Sequence, residues 1–234
     1  MSDRPRALIP FSEPIPSENR SVAVPNPSPA KVVLFDLFGV LTEHQPEAER
    51  EFLLGATGVA DTVDPAAFWT SYWINRPPYD RAAVSADEYW RSVAADLSAH
   101  FQPATVAALI EADCGSWRTM DPVMVGLLER LAGRGQTIGL LSNIPEELAA
   151  DFMRRHRWFE LFAVVAFSCR IGAAKPDPAA FEWCLRELGV DAGDVLFIDD
   201  REENVAAAEA LGIRGKLFVG SADLFAYLQL DPDE

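Results

Sequence analysis

The sequence predicts an α/β fold, in which helices cover both faces of a parallel β-sheet and a helical segment is inserted after the first strand. Two observations support this prediction. After position 120, short apolar runs alternate with helix patterns of about ten residues. Between Glu43 and Met120, by contrast, helix signals occur without a convincing strand. Strands that alternate with helices form right-handed βαβ units, and such units build a parallel sheet.

The strands are predicted from runs of β-prone apolar residues. The first run, Lys31–Phe35, is apolar after its lysine, which is typical of a strand buried on both faces of a parallel sheet. The other predicted strands are Thr137–Leu141, Ala163–Phe167, Asp194–Ile198 and Lys216–Val219.

Helix starts are marked by capping residues. Aspartate followed by proline supplies an N-cap and a first-turn proline, and serine three residues before glutamate forms a capping box. These signals occur at Asp64-Pro65, Ser85 with Glu88, Asp121-Pro122 and Asp177-Pro178. Further helices are predicted at Pro145–His156, Glu202–Leu211 and Ser221–Gln229.

The chain is predicted to divide into three parts. Residues 1–30 contain seven prolines and are interpreted as an extended or disordered leader, with a proline-motif docking segment as the less favoured interpretation. Residues 31–42 and 121–234 are expected to form the α/β core. Residues 43–120 are expected to form the helical insertion.

Composition argues against several classes of function. The formal net charge of −16 opposes binding to nucleic acid or to an anionic membrane surface. No apolar run approaches the length of a signal peptide or a transmembrane span. Three widely spaced cysteines indicate neither a zinc site nor a disulfide scaffold. We therefore expect a soluble, cytoplasmic protein whose partner is a small molecule.

Polar residues follow the predicted strands. They are Asp36 after the first strand, Ser142 and Asn143 after the second, Lys175 after the third, and Asp199 and Asp200 after the fourth. The carboxyl ends of parallel strands share one edge of the sheet, where open α/β sheets bind their ligands. We therefore expect these side chains to lie close together.

This ordered set resembles the motifs of the haloacid dehalogenase superfamily, over about residues 31–230. Those motifs are an apolar run ending in aspartate, a second run ending in serine or threonine, a lysine ahead of a helix, and a run ending in two aspartates. The resemblance implies a Rossmann-like three-layer core and a small helical cap that closes over the substrate. It also implies a Mg²⁺-dependent hydrolase, most simply a phosphatase that acts on a small phosphorylated metabolite.

The resemblance assigns a role to each residue. Asp36 matches a nucleophile that forms a covalent aspartyl-phosphate. Lys175 matches the cation beside the phosphate, and Ser142 matches a hydrogen-bond donor, together with the backbone amides after Asp36 and at Asn143. Ordinary structural roles are the alternatives: a helix cap for Ser142 and a surface position for Lys175.

The metal ligands implied by the resemblance are the carboxylates of Asp36, Asp199 and Asp200 and the main-chain carbonyl of Phe38. Mg²⁺ favours such oxygen ligands. A helix-capping role is the alternative for Asp199. Neighbouring carboxylates repel one another unless a cation joins them, which favours the metal.

Phe38 departs from the family pattern. Phosphatases of the family place a second aspartate there, two residues after the nucleophile, to protonate the leaving alcohol. General acid–base catalysis contributes roughly 10²–10⁴-fold, so its loss would slow the hydrolysis of an alkyl phosphate. The candidates to replace this acid are His44, Glu43, Asp80 and Tyr79.

Two other functions stay open. The family's 2-haloacid dehalogenases use no metal and carry an aromatic residue at the position of Phe38, because halide leaves without a proton. Asp199 and Asp200 oppose this interpretation, since each would repel a carboxylate substrate by on the order of 4 kcal/mol at an effective dielectric constant of about 20. The third interpretation is a binding or regulatory protein with little turnover.

Substrate specificity is expected to come from the insertion. Arg76 and Tyr79 are the predicted substrate-binding residues, in a stretch whose aromatic and charged side chains could stack on a ring and clamp an anionic group. Packing within the insertion's own core is the alternative. The binding interpretation predicts that Arg76→Ala raises KM more than it lowers stability.

Overall fold

The computed structural model describes residues 30–231. The predicted leader, residues 1–30, lies outside the described range apart from its last residue, and residues 232–234 also lie outside it. Within the described range, no helix is both long enough and apolar enough to cross a membrane.

One parallel sheet of five strands forms the centre of the described chain, in the order β3-β2-β1-β4-β5. The strands are β1 (Val32–Phe35), β2 (Thr137–Ser142), β3 (Val164–Phe167), β4 (Val195–Asp199) and β5 (Arg214–Leu217). β1 pairs with β2 on one side and with β4 on the other. The strand order reverses between β1 and β4, which is where open α/β sheets bind ligands. The predicted parallel sheet is confirmed.

Helices cover both faces of this sheet. They are α6 (Pro122–Gly133), α7 (Glu146–Arg155), α8 (Ser168–Ile171), α9 (Pro178–Leu188), α10 (Glu202–Ala210) and α11 (Ser221–Leu228), with short 3₁₀ helices at Arg157–Leu161 and Ala192–Asp194. Successive strand residues face opposite sides. Val33 and Phe35 pack with α6, α7 and α11, whereas Val32 and Leu34 pack with α9 and α10. The three-layer α/β fold is confirmed.

β5 begins and ends two residues earlier in the chain than predicted, so the predicted bounds Lys216–Val219 were wrong. Gly215 pairs with Phe197 within β5. A Cβ at Gly215 would lie 2.6 Å from the Cγ1 atom of Val205 in α10, so only glycine fits here. Because glycine is unfavourable in strands, the sequence pattern predicted that the strand begins after Gly215.

Residues 43–120 form a helical segment with a hydrophobic cluster of its own. Its helices are α1 (Glu47–Ala56), α2 (Pro65–Ile74), α3 (Arg76–Asp80), α4 (Ala86–Asp96) and α5 (Pro103–Ser116). The cluster is separate from those on the sheet and is built around large buried side chains such as Phe68, Tyr72 and Trp90. The predicted caps at Asp64, Ser85, Asp121 and Asp177 are confirmed.

The helical segment leaves and rejoins the core at one place. The Glu43 amide donates to the Thr119 carbonyl at 2.9 Å, and the Asp121 amide donates to the Leu41 carbonyl at 3.0 Å. Thr42 and Met120 form an antiparallel bridge between these two bonds. The two connections therefore run side by side.

Candidate active site

Three carboxylates meet at the carboxyl edge of the sheet. Asp36 follows β1, Asp199 is the last residue of β4, and Asp200 follows it. One oxygen atom of each lies within 4.8 Å of those of the other two. Asp36 and Asp199 are buried, and Asp200 is half-buried. The pairing of β1 with β4 produces the convergence that the sequence predicted.

Lys175 lies between two of these carboxylates. Its Nζ atom is 2.6 Å from Oδ1 of Asp36 and 2.7 Å from Oδ2 of Asp199, and its side chain is 1% exposed. A buried ammonium needs such partners, because desolvation strongly disfavours an unpaired charge. Lys175 is therefore not the surface lysine of the alternative interpretation.

Two asparagines fix this arrangement. The Asn143 side chain donates to the Lys175 carbonyl at 2.7 Å and accepts from the Lys175 amide at 2.8 Å. The Nδ2 atom of Asn204 lies 3.0 and 3.1 Å from the two carboxylate oxygens of Asp199. The sequence pointed to the backbone amide of Asn143, so the part played by its side chain was missed.

The pKa values in the cluster reflect burial first and the neighbouring charges second. Burial raises the pKa of Asp36 to about 7; Lys175 opposes this rise, and Asp199 adds to it. Burial disfavours the charged form of Lys175, but Asp36 and Asp199 outweigh that effect and hold its pKa above the usual value. Burial and the neighbouring charge of Asp199 also raise the pKa of Asp200.

The donor set of this cluster suits a divalent cation. When the three carboxylates are ionised, the single charge of Lys175 leaves two negative charges unpaired. Carboxylate oxygens are the ligands that Mg²⁺ prefers in proteins. In charge and in atom type, the cluster therefore fits the ion that the sequence led us to expect.

Gly39 leaves room for Asp200. Its φ angle is +77°, and a Cβ at this position would lie 2.3 Å from the Oδ2 atom of Asp200. No larger residue fits without moving that carboxylate. The Nε2 atom of His44 lies 3.7 Å from the same oxygen.

A cavity of about 660 Å³ opens between this cluster and the helical segment. From the sheet side it is lined by residues that include Asp36, Phe38, Asn143, Lys175, Asp200 and Asn204. From the helical segment and its second connection it is lined by Trp73, Arg76, Pro77, Asp80, Arg81 and Trp117. A small molecule in this cavity would contact both parts of the protein.

Comparison with known proteins agrees with this geometry. Residues 30–212 match the family described as haloacid dehalogenase-like hydrolase. The chain belongs to this family. It is therefore a hydrolase, and the resemblance noted in the sequence is confirmed.

Two curated relatives of this hydrolase are phosphatases. The sesquiterpene phosphatase of Aspergillus oryzae is 26% identical over 185 residues, which cover 79% of this chain and 88% of that protein. The phosphoglycolate phosphatase of Aliivibrio fischeri is 25% identical over 193 residues, which cover 78% and 81%. A HAD family enzyme of Bacteroides thetaiotaomicron, solved in complex with magnesium and inorganic phosphate, shares the fold with a TM-score of 0.64. It is 21% identical and covers 84% of this hydrolase and 99% of that chain.

Three predicted site residues of the hydrolase do not line the cavity: Asp199, which is buried beneath Lys175, and Tyr79 and Ser142. Tyr79 stacks on Tyr89, with ring centroids 4.5 Å apart, and its hydroxyl donates to Glu147 at 2.8 Å. The structure therefore gives the ring and hydroxyl of Tyr79 partners within the protein and does not support the predicted contact with the substrate. Ser142 is fully buried at the end of β2, and its Oγ has no hydrogen-bond partner within the described residues. It does not cap α7, which begins at Glu146.

Arg76 lines the cavity but is tied into the helical segment. Its Nε atom donates to Asp80 at 2.8 Å, and its Nη1 atom donates to Asp113 at 3.0 Å and to the Tyr72 hydroxyl. Only 5% of the residue is exposed. The expectation that Arg76→Ala would affect KM more than stability did not include these partners, which lie on α2 (Tyr72), on α3 (Asp80) and on α5 (Asp113).

Phe38 occupies the position of the missing acid with its ring against other aromatics. Its centroid is 4.6 Å from that of Trp117 and 5.7 Å from that of Phe152. Of the candidate replacement acids, His44 and Asp80 line the cavity, whereas Glu43 and Tyr79 do not. Of the two that line it, His44 lies beside Asp200, and Asp80 is paired with Arg76.

Proposed function

We propose that this hydrolase is a Mg²⁺-dependent phosphatase that acts on a small phosphorylated metabolite through an aspartyl-phosphate on Asp36. The observation that carries the proposal is the position of the Lys175 ammonium, 2.6 Å from Asp36 and 2.7 Å from Asp199. A phosphoryl group that approaches Asp36 arrives beside a buried positive charge. The two relatives are named for chemically different substrates, and the phosphoryl group is what those substrates have in common.

In the proposed reaction, an oxygen of Asp36 forms a bond to phosphorus while the bond from phosphorus to the leaving oxygen breaks. Lys175 offsets the negative charge shared by the carboxylate and the phosphoryl oxygens. Water then attacks the aspartyl-phosphate, which releases inorganic phosphate and restores Asp36. Asn143 and Asn204 hold Lys175 and Asp199 in place during both steps.

The proposed Mg²⁺ ligands are the carboxylates of Asp36, Asp199 and Asp200 and the main-chain carbonyl of Phe38. When bound, the ion supplies positive charge that offsets the charge of the carboxylates and of the phosphoryl oxygens. The oxygen-only donor set and the two unpaired negative charges support this assignment.

Further parts of the proposal concern the surroundings of Asp36. Ser142 and the Asn143 amide are proposed as donors to the phosphoryl oxygens, since a buried hydroxyl without a protein partner calls for one. Residues 43–120 are proposed as a helical cap, with Arg76 facing the substrate, over a core of residues 31–42 and 121–234.

The proposed location is the cytoplasm. The free cysteines Cys114, Cys169 and Cys184 support a cytoplasmic setting.

Phe38 favours a second candidate, a metal-independent 2-haloacid dehalogenase, because its ring lines the cavity where a general acid would be needed for an alkyl phosphate. The carboxylate cluster weighs against this candidate. A carboxylate substrate would add another negative charge to the two that Lys175 leaves unpaired.

The test is to incubate the purified protein with a panel of phosphate esters and 2-haloacids, with and without Mg²⁺. We expect Mg²⁺-dependent phosphate release, reduced by about 10³-fold or more in Asp36→Asn. Asp121→Asn is the matched control, because Asp121 caps α6 and asparagine also caps helices well. Metal-independent halide release would support the dehalogenase instead. Release of neither product would leave a binding or regulatory role.

A further inference from the structure

An aromatic row lines the cavity beside the proposed nucleophile. We define this row as Phe38, Trp117 and Trp73. The ring centroids of Phe38 and Trp117 are 4.6 Å apart, and those of Trp117 and Trp73 are 6.2 Å apart. All three side chains line the cavity. The row begins two residues after Asp36 and ends on α2, so it extends from the carboxylate cluster into the helical segment.

Packing inside the protein does not account for the end of this row. Trp73 is 48% exposed; it lines the cavity and also borders an open surface groove beside Trp69 and Ile74. Its ring packs edge-on against buried Tyr72, with centroids 4.8 Å apart. The part of this indole that faces the cavity is apolar surface that a ligand can cover favourably.

The cavity therefore offers two kinds of surface. Asp36, Lys175 and Asp200 provide a charged site, and the aromatic row provides an apolar wall. Pro77 and Pro176 add further apolar lining. A substrate that uses both surfaces carries a phosphoryl group at one end and an apolar group at the other.

We propose that the substrate is a phosphate monoester of a phenol, whose ring packs against the aromatic row. This inference rests on the phosphatase function proposed above and names the organic part of its substrate. The ring would cover the exposed face of Trp73, in the offset or edge-on arrangements that aromatic pairs adopt.

The chemistry at Phe38 leads to the same class of substrate. Phe38 has no proton to give to a leaving alcohol. A phenolate leaves without one: as the phosphorus–oxygen bond breaks, the electron pair stays on the phenolic oxygen, which takes a proton from water afterwards. Phe38, which stands where the general acid would be, thus also supplies the first ring of the aromatic row.

Binding of two phosphonates that the enzyme cannot hydrolyse tests the proposal. Isothermal titration in the presence of Mg²⁺ compares benzylphosphonate with methylphosphonate. We expect benzylphosphonate to bind about tenfold more tightly or better, because it buries a ring. Trp73→Ala should lower this ratio by about threefold or more. Ile74→Ala is the matched control, since Ile74 follows Trp73 on α2, is 72% exposed and lies outside the cavity lining.

The outcomes separate this inference from the proposed function. Equal affinity for the two phosphonates in the wild-type protein would overturn the phenol assignment and leave the phosphatase intact. So would an unchanged ratio in a Trp73→Ala variant that keeps the wild-type melting temperature; Trp73→Leu serves if the alanine variant does not fold. Failure of both phosphonates to bind, with no phosphate released from phenyl phosphate, would overturn the proposed function itself.

Discussion

Replacement of Arg76 by methionine is expected to destabilise the protein strongly. Asp113 accepts from Arg76 at 3.0 Å and is only 1% exposed. Asp80 accepts at 2.8 Å, and its side chain is 13% exposed. Methionine fills much of the volume of the arginine stem but leaves both carboxylates without their cation. Burial already raises the pKa of Asp80 although Arg76 opposes the rise, so Asp80 is poorly solvated.

The size of the effect follows from this burial. Removal of one partner from a buried ion pair costs about 3–5 kcal/mol, because the remaining charge is uncompensated. For a protein of this length, that corresponds to a fall in melting temperature of roughly 6–20 °C. Arg91→Met is the matched control: Arg91 pairs with Asp87 on the surface, where their side chains are 65% and 56% exposed. Such a pair contributes about 0–1 kcal/mol.

Urea unfolding of the Arg76→Met variant, followed by circular dichroism, measures the loss directly. The double variant Arg76→Met with Asp113→Asn should recover part of the stability, since it removes the uncompensated charge while the amide can still bond the Tyr72 hydroxyl. A loss below about 1 kcal/mol, accompanied by a large rise in KM, would refute this reasoning. Arg76 would then act mainly through the substrate and not through these two ion pairs.

Three further predictions concern the cluster around Asp36. Asn143→Ala should cost about 1–3 kcal/mol in unfolding free energy and lower kcat, because it removes both hydrogen bonds to the Lys175 main chain; an unchanged kcat would contradict the positioning role. Phe38→Asp should raise turnover of alkyl phosphates relative to phenyl phosphate by up to about 10²-fold, with Phe38→Asn as the control that carries no acid. Mg²⁺ at 100 times its Kd should stabilise the protein by about 2.7 kcal/mol in thermal unfolding, and EDTA should reverse this gain. A melting temperature that is the same with and without Mg²⁺ would argue against the metal site.

The sequence predicted the carboxylate cluster because only topology was needed. Asp36 follows β1 and Asp199 ends β4; these strands pair directly, and in a parallel sheet their carboxyl ends share one edge. The place of Lys175 after the third strand put it at the same edge, and its role came from the resemblance to the family motif. These assignments needed the order of the elements and no knowledge of side-chain direction.

The sequence named Asn143 and Arg76 but missed the contacts that they make with distant parts of the chain. Asn143 bonds a main chain 32 residues away, and Arg76 pairs with Asp113 on a different helix. Tyr79 looked like a ligand contact because its neighbours are charged, yet its ring stacks on Tyr89. The predicted position of β5 was wrong because of Gly215, whose presence in the strand is explained only by the closeness of α10. Propensity and spacing carry no information about such packing.

The two adjacent connections of the helical segment affect how such an enzyme can evolve. A segment whose ends are neighbours can be exchanged for another of different length without rearranging any strand, as domain insertions at closely spaced surface sites show. Residues 41–43 and 119–121 have this geometry. Selection can therefore alter the walls of the cavity through the segment while the sheet edge that bears Asp36 and Asp199 stays as it is.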